Sequence, residues 1–144
     1  MAYAQYDPAQ VILIVGGSPM SGYVDGTFIE VSFDEQQWNK VTGADGMTQR
    51  SKTNNFAGSI TLTLLNSAAS NDVLSALWNT DRNNNNGAVP VLVKDLSGRT
   101  LWQAEHGWIQ QMPNQGFSKN AENREWVIDC DALSGLAGGN QPLA

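Results

Sequence analysis

The side chains able to do chemistry are few, and their spacing does not serve any familiar reaction. One histidine (His106), one cysteine (Cys130) and the tripeptide DCD at 129–131 are the natural starting points. A Ser–His–acid constellation needs an acid on the imidazole. The adjacent Glu105 is expected on the opposite face if this segment is a strand. No serine sits in a G-x-S-x-G elbow, because GGSPM lacks the closing glycine. Asp129 and Asp131 would share a strand face with Cα atoms roughly 7 Å apart, and paired carboxylates can cleave glycosides. Nothing else in the sequence shapes a sugar cleft, and DCDALSG lacks the glycine and terminal glutamate of a calcium loop. A single cysteine rules out an internal disulfide and a cysteine-cluster metal site. The expectation is therefore no enzyme, no cofactor and no metal, with His106 at a surface or interface and Asp129 and Asp131 on an acidic face.

The five tryptophans (38, 78, 102, 108 and 126) raise a second possibility, a sugar-stacking platform in a carbohydrate-binding module. Against it, Trp78 and Trp126 fall on apolar faces and are expected in the core.

Composition narrows the class further. A chain of 144 residues is expected to form one domain over 1–144, with 1–8 and the Gly-rich 133–144 as loosely ordered termini. It is 41% hydrophobic and 15% charged, with a net charge of −6. That balance disfavours a conventional nucleic-acid binder, which needs a basic face. The apolar run VILIV at 11–15 is too short to span a bilayer and has no basic segment before it, so neither membrane insertion nor a classical export signal is expected.

The elements that would hold these residues are mostly strands. Val11–Val15, Thr27–Phe33, Ser59–Leu65, Val89–Lys94, Arg99–Ala104, Trp108–Met112 and Arg124–Ala132 carry apolar or alternating patterns, separated by turn residues such as GGSPMSG, VTGADG and DLSG. The alternation places Trp126, Ile128 and Cys130 on one face, with Glu125, Val127, Asp129 and Asp131 on the other. One helix is expected, SNDVLSALW, with Ser70 as N-cap and Val73, Leu74, Leu77 and Trp78 as its apolar stripe. The run NTDRNNNNG (79–87) reads as a loop. The fold class is mainly β: a β-sandwich or barrel with one flanking α-helix and a long polar hairpin arm.

That arm is the anomaly. From Thr48 to Asn55 every side chain is polar or charged, so a strand there has no face to bury, yet it directly precedes the clearest strand in the chain. Arg50 and Lys52 are unopposed, since no acid occurs between Gly46 and Ser70. A locally basic arm on an acidic protein suits contact with another copy of the same chain.

The segments SGYVDGTFIEVSF, VTGADG, SKTNNFAGSITLTLLNSAASNDVLSALW, PVLVKDLSGRT, WIQQMP and REWVIDC, in this order from about Val11 to Leu133, together resemble tail tube proteins of contractile-tailed bacteriophages. Related tube proteins are the Hcp subunits of type VI secretion, which stand as the alternative. The resemblance implies a structural subunit whose hexameric rings stack into a hollow tube within a contractile sheath. It implies assembly in the host cytoplasm and residence in the virion. Expected partners are further copies of the chain, the sheath, tape measure and baseplate or terminator proteins, and DNA only in passage. Met47, Thr48, Gln49, Arg50, Ser51, Lys52, Thr53, Asn54 and Asn55 would form the arm that reaches the adjacent ring. Glu30, Ser32, Glu125, Asp129 and Asp131 are candidates for the lumen wall, where acidic and hydroxyl groups would keep DNA from adhering.

Overall fold

The computed structural model describes residues 4–140. A single turn of 3-10 helix at Pro8–Gln10, capped by Asp7 Oδ1 accepting from the Ala9 N–H at 2.9 Å, leads into β1 (Val11–Val15). The strands β2 (Ser18–Pro19), β3 (Ile29–Phe33), β4 (Trp38–Thr42), β5 (Thr48–Lys52) and β6 (Gly58–Leu64) follow. Then come α1 (Ser70–Asn84), β7 (Val89–Asp95), β8 (Leu101–Ile109), β9 (Arg124–Cys130) and β10 (Ser134–Leu136).

Eight strands form one antiparallel sheet, ordered β2-β1-β7-β8-β9-β6-β3, with β10 branching from β8. The sheet does not close into a barrel, and β2 and β3 are left as its outer edges. It curls over on itself like a sandwich, so that Phe33 of β3 meets Trp102 of β8 edge-on with ring centroids 5.5 Å apart.

Alternation explains which face is inside. Ile60, Leu62 and Leu64 of β6 and Trp126, Ile128 and Cys130 of β9 are all buried, as are Leu13 and Val15 of β1 and Val91 and Val93 of β7. Period-two side chains on neighbouring strands thus meet in one apolar core. The long strand β8 joins the two halves of the curl, pairing with β7 and β10 through its first residues and with β9 through Gly107–Ile109. Gly107 marks the crossing, where a Cβ would press on Val91 and Ile128.

Several elements differ from the sequence reading. The expected strands Arg99–Ala104 and Trp108–Met112 are one strand, β8, which ends at Ile109 and is continuous through a bulge. The helix is longer than expected, because NTDRNN continues it: Asn79 and Thr80 return side-chain hydrogen bonds to the Ser75 and Ala76 carbonyls. It stops at Asn85, whose φ of 53° is a left-handed cap and whose N–H donates to the Asp81 carbonyl. Ser70 is not the N-cap. Ala69 holds that position, and the Ser70 hydroxyl instead accepts from the Ser21 N–H at 2.8 Å.

Asn71 ties the helix start to the sheet. Its Oδ1 accepts from Trp126 Nε1 at 2.9 Å, and its Nδ2 donates to the Leu65 and Ala68 carbonyls at 2.9 and 3.1 Å. Leu74 is fully buried, with Val73, Leu77 and Trp78 packed against the same core. Within the segment read as a loose tail, Ser134–Leu136 pairs with Leu101–Gln103 as β10. Residues 1–3 and 141–144, also included in the expected loose termini, lie outside the described residues.

Candidate functional site

The polar arm is a two-stranded ribbon set apart from the main sheet. Strands β4 and β5 pair in register from Trp38↔Lys52 to Thr42↔Thr48, and every residue in both is exposed. The turn is closed by the Gly43 N–H donating to the Met47 carbonyl at 2.8 Å and by Asp45 Oδ1 accepting from the Met47 N–H. Gly46 takes a φ of +87°, a conformation that favours glycine there. Sequence reasoning marked Thr48–Asn55 as part of a polar hairpin arm but did not find the partner strand, because WNKVT has no buried face and so no apolar alternation to betray it.

The pairing sorts the side chains. Trp38, Lys40 and Thr42 share one face of the ribbon with Lys52, Arg50 and Thr48. The Arg50 guanidinium lies over the Trp38 ring at 3.9 Å from the centroid, and Lys52 approaches Trp38 and Phe56 at 5.8 and 5.4 Å. Three of the eight basic residues are therefore on one side of one hairpin. Two apolar side chains are bare on the same arm, Val41 at 68% exposure and Met47 at 74%. Thr53 and Asn55 belong to the base, where Thr53 Oγ1 donates to the Gln36 carbonyl and Asn55 Nδ2 donates to Glu35 Oε1. Asn54 bends the chain there with a φ of 57°.

The structure also gathers most of the candidate wall residues. Register places Ser32 opposite Ser59 and Ser59 opposite Asp129, while Glu30 faces Thr61 and Thr63 faces Glu125. The outward face of β3, β6 and β9 thus alternates hydroxyls with carboxylates, and the Ser32 and Ser59 hydroxyl oxygens are 3.4 Å apart. Burial and then the charge of Asp34 push the Asp129 carboxyl up from its ordinary range, partly offset by a hydrogen bond from Gln110.

Asp131 stands apart, beyond the end of β9. Its Oδ2 lies 2.9 Å from His106 Nδ1, and its Oδ1 accepts from the Ala132 N–H at 2.8 Å. The bulge between β7 and β8 breaks strict alternation, so Glu105 and His106 are both exposed. The acid beside the histidine is therefore Asp131, a non-local partner that adjacency in sequence did not reveal. Slight desolvation pushes the Asp131 carboxyl up, but the hydrogen bond with His106, the Ala132 N–H and the His106 charge outweigh it and hold the carboxyl below the usual range. A depressed carboxylate contributes stability above its unfolded value and loses it as pH falls through the folded one. In His106→Ala the Asp131 carboxyl is expected to titrate at higher pH, measured by carbon NMR of the carboxyl. An unmoved titration would show that His106 does not set it.

Cys130 is buried, and burial followed by the charges of Asp129, Asp131 and Asp34 pushes its thiol up to about 11, which keeps it protonated and unreactive. No cluster of His, Cys, Asp or Glu among the described residues is arranged to hold a metal ion. Nor is any described helix long and apolar enough to cross a membrane. The tryptophans do not form one exposed platform: Trp126 is buried, Trp78, Trp102 and Trp108 are half-buried, and Trp38, 45% exposed, lies in the arm with Arg50 over its ring.

The described residues thus form an open sandwich with one α-helix and an outlying basic hairpin. The profile of the bacteriophage PhiTE tail tube protein family matches residues 1–138, and the chain belongs to this family of phage tail tube proteins. It is accordingly a structural component of the virion tail and not an enzyme. It is 29% identical over 147 residues to structural protein ORF10 of Pseudomonas phage KPP10, covering 96% of this chain and 85% of that protein. Among solved structures, it is similar to the sheath/tube terminator of an extracellular contractile injection system (TM-score 0.64, 13% identity, 95% of this chain and 100% of the other). A chain of a gene transfer agent virion is similar at a TM-score of 0.62 and 13% identity, over 92% of this chain and 100% of that one.

Proposed function

We propose that this tail tube protein forms hexameric rings that stack into the tube of a contractile tail, with the β4–β5 arm reaching into the adjacent ring. One observation carries the reading: residues 38–52 form a regular ribbon that buries nothing on its own domain and concentrates positive charge on an acidic chain. Such a ribbon gains its stabilisation from a second molecule. The fold shared with components of contractile injection systems supports the contractile setting.

In this assembly the hydroxyl and carboxylate face of β3, β6 and β9 lines the lumen, where Glu30, Ser32, Glu125 and Asp129 repel passing DNA, with Asp131 at its border. The rings assemble in the host cytoplasm around a tape measure protein. A sheath surrounds the tube, and terminator and baseplate proteins hold its ends. Contraction of the sheath drives the tube through the envelope, and the genome follows through the lumen.

Negative-stain electron microscopy of the purified protein tests the geometry, with rings or tubes of six-fold symmetry expected; a strict monomer at high concentration would overturn it. Duplex DNA is expected to bind no more tightly than about 10 μM at physiological salt. Submicromolar affinity with a steep salt dependence would contradict a non-adhesive channel.

A further inference from the structure

A groove of about 770 Å³ lies on the outside of the other half of the sheet, over β1, β7 and β8. Its floor is apolar. Ile14 and Leu92 are cross-strand partners that point away from the core, and Pro90 lies beside them. Gln103, the partner of Leu92 on β8, continues the row, and Glu105 and Asp131 supply an acidic rim. Among the described residues α1 does not line this groove, because its apolar residues pack into the core. Lys94 is the cation on the same face, one row away between Ile12 and Leu101.

We propose that this groove receives the β4–β5 arm of a second copy of the chain. The inference rests on the reading that the arm engages another subunit, and it names the surface that the arm meets. Two features of the arm match two features of the groove. Val41 and Met47 are bare apolar side chains near its tip, suited to the Ile14–Leu92 floor. Lys40 and Arg50, a cross-strand pair, carry the charge that Glu105 and Asp131 lack, and their long stems allow them to fold back towards the rim. A five-residue strand spans about 17 Å, enough to cross the three strands β1, β7 and β8 at about 4.8 Å spacing. In the free subunit no hydrogen bond or ring contact among the described residues ties the ribbon to the groove strands, so both surfaces are available. Because arm and groove are different patches of one molecule, the contact is head-to-tail, and repeating it extends an assembly.

Cysteine pairs test the contact in the full chain, since native Cys130 is buried and unreactive. Met47→Cys combined with Leu92→Cys is expected to give a ladder of covalent oligomers on mild oxidation of the assembled protein. Met47→Cys with Gln103→Cys, on the same row, is expected to do the same and guards against a folding defect at position 92. Met47→Cys with Glu125→Cys, on the other outer face, is expected to give none. Tubes that form but ladder in neither groove pair, or ladder through Glu125→Cys instead, overturn the groove and leave the tube reading intact. Wild-type protein that never polymerises overturns both. As a second readout, Glu105→Lys is expected to lose long polymers and to regain them when Lys40→Glu and Arg50→Glu are added to the same chain. Failure of that rescue in a folded protein also counts against the groove.

Discussion

A chain carrying Lys40→Glu, Arg50→Glu and Lys52→Glu is expected to stay folded and to lose its long polymers. The fold is insensitive because all three side chains are exposed and leave no buried group unpaired. Surface substitutions of this kind usually stay within about 0.5 kcal/mol. The local losses are the stacking of Arg50 on Trp38, worth roughly 0.5–1 kcal/mol at an exposed site, and the longer approaches of Lys52 to Trp38 and Phe56. Assembly responds differently, since three attractive charges become three repulsive ones against an acidic neighbour, and the effect repeats at every subunit. Circular dichroism melts and negative-stain microscopy read the two halves separately. Tubes of undiminished length in a folded triple variant would remove the arm from the assembly mechanism.

The largest effect on stability is expected at Asn71, which is nearly inaccessible at 3% exposure. Asn71→Ala leaves the buried Trp126 N–H without its acceptor, while the Leu65 and Ala68 carbonyls lose one of their donors and keep the backbone N–H groups of Ala68 and residue 71. Stranding the indole N–H where water cannot reach it costs about 1–3 kcal/mol. A loss near 2 kcal/mol lowers the melting temperature on the order of 6 °C in a chain of this size. Trp126→Phe removes the donor from the same bond, so the two substitutions together are expected to cost less than their sum. A melting temperature unchanged in Asn71→Ala would show that the helix start is held by its apolar stripe alone.

How much of this was legible in advance depended on whether a residue's role is local. Strands β1, β6 and β9 were readable because burial on one face imposes a period of two on the sequence itself. The helix start was readable from Val73, Leu74, Leu77 and Trp78, but its second half was not. Asn79 to Asn84 form an exposed turn whose polar side chains satisfy the backbone instead of filling a core. Strand β8 looked like two because its bulge at Glu105–His106 interrupts the alternation. In the arm, the absence of acids and of a buried face marked Thr48–Asn55 as unusual. Lys40 and Trp38 were not assigned to the arm because they join Arg50 and Lys52 only across the ribbon, ten or more positions away. Likewise, the outward face of β3, β6 and β9 is assembled from three separate segments whose register no local pattern encodes.

With Lys40, Arg50 and Lys52 gathered on an outlying ribbon whose turn holds one acid, Asp45, the five other basic residues stand against the thirteen other acidic ones. The separated charge makes the lone subunit an electric dipole, positive at the ribbon and negative across the body. In the proposed assembly, such a molecule would be turned by the field of a growing end before it touches, so that approaching copies would arrive ribbon-first more often than chance allows. At physiological ionic strength that alignment acts over only about 8 Å, and in dilute salt it reaches further.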